Sequence, residues 1–158
     1  MANLFDSSNA PTTEPENIVI GSFFQWKRTD LGDDYPPSLY TLKYTARIQG
    51  GGDQEINITA TTSGTAYLAT ITNATSAAFI KGSYVWQADI ERNSDSARVT
   101  VDKGYWEINA DLNLTSADLR THAQIMIGKI ESILSGRADS DVSSYSIAGR
   151  SLSKMSFR

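Results

Sequence analysis

SLYTLKYTARI, residues 38–48, decides what kind of fold this chain adopts. Tyr40, Leu42, Tyr44, Ala46 and Ile48 fall on one side of the run, and Thr41, Lys43, Thr45 and Arg47 on the other. Successive residues of a strand point to opposite faces, so this alternation describes a strand with one dry face and one wet face. Upstream, RTDLGDDYPPS (28–38) is turn-forming, because the consecutive Pro36 and Pro37 exclude both a helix and a central strand. Downstream, QGGGDQ (49–54) breaks the strand and reads as a hairpin connection.

The same grammar repeats on both sides. IVIGSFFQW (18–26) is rich in β-branched and aromatic residues, and EINITATT (55–62) places Ile56, Ile58 and Ala60 inward. TAYLATIT (65–72) comes after a turn at Ser63-Gly64, and SYVWQADIE (83–91) alternates through Tyr84, Trp86, Ala88 and Ile90 after Lys81-Gly82. ARVTV (97–101) comes after the polar turn Asn93–Ser96, and GYWEINADL (104–112) closes the series. Seven short strands with turns between them and no interleaved helix predict an antiparallel β-sandwich of immunoglobulin-like type, with Trp86 as a large central core residue.

The period changes at Thr115. In TSADLRTHAQIMIGKIESIL, Leu119, Ala123, Met126, Ile127, Ile130, Ile133 and Leu134 form one stripe, the spacing of an amphipathic α-helix. Thr115 with Asp118 makes a capping signature, and Gly136 is the expected stop. One helix has no means of hiding such a stripe alone, so it must lie on the sandwich, on a partner or on copies of itself.

Composition narrows the chemistry. With 158 residues, 40% apolar and 20% charged, the chain suits one domain plus an appendage. There is no cysteine, which excludes disulfides, thiolate nucleophiles and cysteine zinc sites. The single histidine, His122, leaves one candidate for any imidazole chemistry, and no nucleophile or carboxylate accompanies it locally, so it reads as structural. No run approaches the ~20 apolar residues of a membrane helix. The mild acidity disfavours a sequence-specific nucleic-acid surface. Asp30, Asp33 and Asp34 lack the spacing of a calcium loop, as do Asp139 and Asp141. Gly50-Gly51-Gly52 lies between strands, not between a strand and a helix as a phosphate loop would. Three Asn-x-Ser/Thr sequons, at Asn57, Asn73 and Asn113, are of a kind that a Ser/Thr-rich chain produces by chance. Trp26, Tyr35, Tyr105 and Trp106 are candidates for a sugar platform, although core packing also accounts for them. No catalytic, metal or cofactor residues are expected, and the chain reads as a non-enzyme.

The ends carry the remaining signal. The chain begins with a polar arm containing Pro11 and Pro15, flexible or draped. It ends in SYSIAGRSLSKMSFR (144–158), where Ile147, Leu152, Met155 and Phe157 are apolar, and Arg150, Lys154 and Arg158 are the only charges after Asp141. The whole chain carries −4, so with +3 in this tail the preceding part carries −7. A tail opposite in sign to its own body is suited to docking, with Tyr145, Ile147, Arg150, Leu152, Met155 and Phe157 as its contact residues. Two other readings stand beside this one: the tail folds back on the sandwich, or it leads into a further helix starting near Ser156, a residue suited to an N-cap.

DYPPSLYTLKY (34–44), KGSYVWQADI (81–90), the amphipathic helix and SYSIAGRSLSKMSF (144–157) together resemble a group of tailed-bacteriophage and prophage virion proteins. The resemblance spans the chain from about Ile18 onward, and YSIAGRSL (145–152) is its more specific part. It implies a structural virion component at the head–tail junction, an adaptor or neck protein docking on the portal or on neighbouring subunits as a homo-oligomeric ring. A capsid decoration protein and a carbohydrate-binding sandwich module are the alternatives. The organisation expected is a flexible arm (1–17), a β-sandwich (18–114), an amphipathic helix (115–136) and an extended docking tail (137–158).

Overall fold

The structure is a computed structural model that describes residues 2–50, 53–113, 120, 122–139, 144–147 and 150–153. The chain forms two compact units, Met1–Asp118 and Leu119–Arg158. In the first, a single 3-10 turn (Ser7–Asn9) precedes β1 (Asn17–Val19), β2 (Phe24–Arg28), β3 (Tyr40–Ile48), β4 (Glu55–Thr59), β5 (Thr61–Ser63), β6 (Ala66–Ile71), a one-turn helix α1 (Asn73–Ser76), β7 (Gly82–Arg92) and β8 (Arg98–Asn109). The second holds α2 (His122–Asp139) and two strands, β9 (Ser144–Ile147) and β10 (Arg150–Ser153).

The first unit is a β-sandwich. One sheet has the order β1-β8-β7-β3-β4 and the other β2-β6-β5. Every pairing is antiparallel except β1 with β8, which is parallel. This is the immunoglobulin-like distribution, strands B, E and D opposite C, F and G, with β4 added beside C. The alternating face of β3 read from the sequence is the buried one, with Leu42, Tyr44 and Ala46 in the core.

Sequence reading and structure part company at the corners. IVIGSFFQW is two strands in different sheets, and the chain crosses between them at Gly21, whose φ of +79° suits glycine. EINITATT divides likewise at Ala60, β4 staying in the large sheet and β5 joining the small one. In both runs β-branched and aromatic residues continue through the crossing, so strand-forming composition alone does not reveal it. Conversely, ARVTV and GYWEINADL are one strand, β8, whose register against β7 shifts at Ala88/Asp89 and leaves Val101 as the extra residue of a bulge. The short α1, capped by the Thr72 side chain accepting from the Thr75 N–H, was not anticipated.

The cysteine-free core is pinned by aromatics. Trp26 on β2 meets Tyr44 on β3 edge-on at 5.2 Å between ring centroids and Trp106 on β8 at 6.0 Å, so one indole bridges the two sheets. Trp86 on β7 stacks with Trp106 at 5.9 Å. Each such pair adds about 0.5–1.5 kcal/mol beyond area burial. Tyr84, two residues before Trp86, donates its hydroxyl to the Ile80 carbonyl at 2.8 Å. A tyrosine at the start of this strand bonding back to upstream backbone is the corner motif of immunoglobulin-like sandwiches, and in antibody domains a disulfide cysteine occupies the position where Trp86 stands here. Among the described residues the buried indole nitrogens of Trp86 and Trp106 have no acceptor, while that of Trp26 lies toward the Tyr44 hydroxyl. An unmade buried bond of this kind costs about 1–3 kcal/mol.

In the second unit, β9 and β10 pair antiparallel as a two-stranded ribbon. The expected helix stop at Gly136 is not where α2 ends: it continues to Asp139. A glycine near a helix end costs only about 1 kcal/mol against alanine, and Arg137 and Ala138 beyond it are good helix formers. Thr115, Asp118 and Leu119 of the expected helix start lie outside the described residues.

Candidate assembly surfaces

The N-terminal arm is the first surface element that the structure gives a place. It runs along the edge strand β2, with the Lys27 N–H donating to the Pro11 carbonyl at 2.7 Å and the Gln25 side-chain amide to the Leu4 carbonyl at 2.7 Å. Phe5 meets Phe23 at 5.3 Å between rings. The arm then delivers Glu14 into the gap between the sheets. There one carboxylate oxygen accepts from Arg28 Nη1 at 2.6 Å and from the Tyr44 hydroxyl at 2.7 Å.

Arg28 is the hub of this region. Its Nε and Nη2 donate to the two oxygens of Asp30 at 2.9 and 2.8 Å, and Nη1 also reaches Asp102 at 3.1 Å. The Asp30 hydrogen bonds raise the guanidinium above its ordinary pKa, against the opposing effect of burial. In return, the bonded Arg28 holds the Asp30 carboxyl below the usual carboxylate value. Burial first, then the Glu14 carboxylate, pushes the Tyr44 phenol up. Four of the five guanidinium N–H donors are committed to three carboxylates, so the group's charge is already met within the chain and it is a poor receiver for an incoming anion. The cluster fastens the arm to the body.

Next to the arm lies an open edge. β1 covers β8 only at 107–109, where the Glu107 N–H donates to the Glu16 carbonyl at 2.9 Å and the Ile20 N–H to the Asn109 carbonyl at 3.0 Å. Backbone groups alternate sides along a strand, so Tyr105 and Lys103, in phase with Glu107, turn theirs away from β7 toward this edge. Among the described residues no strand pairs with the edge before Glu107. A cleft of about 660 Å³ opens here between the arm at Glu14–Asn17 and the β8 edge, with Trp86 and Trp106 at its wall and Glu16 and Glu107 among its lining residues. Tyr105 is 70% exposed beside it and directly opposite the exposed Val85.

The second unit offers two more surfaces. Along α2, Met126, Ile127, Ile130, Ile133 and Leu134 are 42–59% exposed. In the ribbon, the register sets Leu152 opposite Tyr145 and Arg150 opposite Ile147. Cross-strand partners share a face and alternate residues repeat it, so Tyr145, Ile147, Arg150 and Leu152 occupy positions of one face, and four serines occupy the other. Met155 and Phe157, the remaining expected docking residues, lie outside the described residues.

The structure also gives the other sequence candidates their places. Trp26 and Trp106 are core residues, Tyr35 is half-buried against Tyr40, and Tyr105 alone of the four sugar-platform candidates is exposed. Asp30 is committed to Arg28, whereas Asp33 and Asp34 are exposed. No group of three or more acidic or histidine side chains among the described residues is arranged to hold a metal ion. No described helix is long and apolar enough to cross a membrane. His122 is the first residue of α2. Glu14, Arg28 and the β8 edge are what sequence reasoning missed. Arg28 carried a signal, because it repeats the inward phase of Trp26 on β2 and an inward arginine demands acceptors.

Comparison with known proteins finds no matching family model and no matching curated protein.

Proposed function

We propose that this chain is a structural virion assembly protein, a head-to-tail adaptor or neck component of a tailed phage that forms a ring with copies of itself and docks on the portal. The observation that carries the reading is the row of exposed apolar residues on α2: Met126, Ile127, Ile130, Ile133 and Leu134. Contiguous exposed apolar surface marks an interaction site. Met126, Ile130 and Ile133 keep the alternating four-and-three spacing of a coiled-coil seam, with isoleucine at both kinds of core position. Over this one heptad the stripe is self-complementary, and copies of this chain are the occupant the reading takes. The sandwich supplies a rigid body, and the basic tail on an acidic chain supplies a second contact.

On this reading the protein has no turnover. Hydrolysis of polysaccharide or peptidoglycan by the purified chain, abolished by changing one carboxylate, would count against it. The direct test is stoichiometry. Native mass spectrometry of the purified chain is expected to give a closed oligomer that Met126→Ser with Ile130→Ser reduces to monomer. Copy number in particles then separates the adaptor from the decoration protein: a ring matched to the portal supports the first, and copies by the hundred the second. The sugar-binding alternative lacks a platform of several exposed aromatic faces, since three of its four candidates are buried or half-buried.

A further inference from the structure

The described residues contain two incomplete sheets. In the sandwich, β8 is twelve residues long and its outer edge is covered by β1 only at 107–109. In the second unit, β9 and β10 form a sheet of two strands with no third. An isolated two-stranded ribbon is marginally stable in water and gains from a further strand. An uncovered strand edge is a template for such an addition.

We propose that the ribbon of one copy, strands β9 and β10, adds to the β8 edge of a second copy beside Tyr105, linking neighbouring subunits head to tail. The inference rests on the assembly reading and supplies its second contact, that of the tail, in addition to the α2 stripe's. Charge selects this occupant. The body is acidic, and Glu16 and Glu107 are exposed at the cleft beside the edge. The tail carries Arg150, Lys154 and Arg158 and no acid after Asp141. Lys103, further along the edge, is the one cation in phase with Tyr105, Glu107 and the edge-facing backbone between 103 and 107. Surface character agrees with charge. The outer face of β7 and β8 presents the opposed pair Val85 and Tyr105. The ribbon has one face whose positions are Tyr145, Ile147, Arg150 and Leu152. Backbone bonds to the edge would provide affinity, the apolar pair would provide register, and Arg150 near Glu16 and Glu107 would choose the direction. Because the donor and acceptor surfaces differ, the contact is heterologous, and such contacts close into rings when the rotation permits.

The absence of cysteine makes the test clean. Full-length chains carrying only Tyr105→Cys and only Leu152→Cys are mixed and treated with a short bis-maleimide, which tolerates a small register offset. The expected product is a covalent dimer of the two different chains. Lys103→Cys should give it too, whereas Thr45→Cys, two strands away on the same sheet, should not. Reversal of both acids, Glu16→Lys with Glu107→Lys, should abolish the product while circular dichroism shows the sandwich intact. If mixed chains keep their oligomeric mass but give no product, this contact is wrong and the assembly reading survives. If the chain is monomeric at every concentration and gives no product, both fall. If a chain carrying both cysteines closes only on itself, the ribbon serves its own sandwich and the second-copy proposal is overturned.

Discussion

A Cβ added at Gly104 would sit 2.6 Å from Cζ2 and 2.8 Å from Cε2 of Trp86, its partner across β7 and β8. The indole is part of the core cluster, so it has little room to retreat. Gly104→Ala is expected to cost about 1–3 kcal/mol in urea unfolding, and less in a Trp86→Phe background where the overlapping ring is smaller. Gly32 is a harder case, because an added Cβ would lie 1.8 Å from the Thr65 carbonyl oxygen and backbone has to move. Gly32→Ala should therefore destabilise more than Gly104→Ala. The second prediction at this scale concerns pH. Arg28 depresses the folded pKa of Asp30, so the folded state binds fewer protons there than the unfolded state. The stabilisation is fully present above the ordinary aspartate pKa of about 3.9 and is lost as pH falls through the lower folded value. The urea midpoint of the natural chain should exceed that of Asp30→Asn at neutral pH, and the gap should narrow only below that range. Neither glycine was legible in the sequence, and of the ion cluster only the inward phase of Arg28 was. A glycine between two strand-like runs signals a turn, and only the paired register brings Trp86 over Gly104 inside a continuous strand.

Elements were read well where one period governed them and poorly where the chain changed partners. β3 and β7 were visible as alternation because each stays in one sheet and buries one face throughout. The crossings at Gly21 and Ala60 fall inside runs of strand-forming composition and were therefore hidden. The arm was legible only as polar and proline-bearing, because what fastens it is backbone bonding to β2 and an acid meeting partners 14 and 30 residues away. Glu14→Ala would leave Tyr44 without its acceptor and remove one carboxylate from Arg28. A loss of about 2–4 kcal/mol is expected, together with faster proteolysis within residues 2–13. The α2 stripe was read directly from spacing, and a double substitution in it separates a place in the core from a role in association. If it serves association, then Ile130→Ser with Ile133→Ser should leave the unfolding transition of the sandwich within about 0.5 kcal/mol, as for other surface changes. Sedimentation of the same variant should show loss of self-association.

For the whole molecule, the division into two compact units leads to the expectation that the sandwich folds without the C-terminal ribbon. A chain ending at Asp141 is expected to unfold at nearly the natural urea midpoint yet fail to join particles. If it unfolds outright, the tail belongs to the core and the docking reading is wrong. The contrast in charge between tail and body was readable from residues alone, whereas the acceptor edge was not, because it is defined by a partner strand that stops after three residues. The brevity of β1 has a mechanical side as well. β1 enters from the N-terminal arm, β8 leaves toward residue 110, and the two lie parallel as neighbours. Tension between the ends of the sandwich therefore drags these strands along each other in opposite directions. The bonds from Glu107 to Glu16 and from Ile20 to Asn109 are loaded in shear and must break together, where an antiparallel terminal pair would unzip one bond at a time. The grip of Arg28 on Glu14 lies just before β1 and adds to that resistance. A body built this way yields late to a pull along the chain, and its mechanical strength resides in the few residues between Glu14 and Ile20.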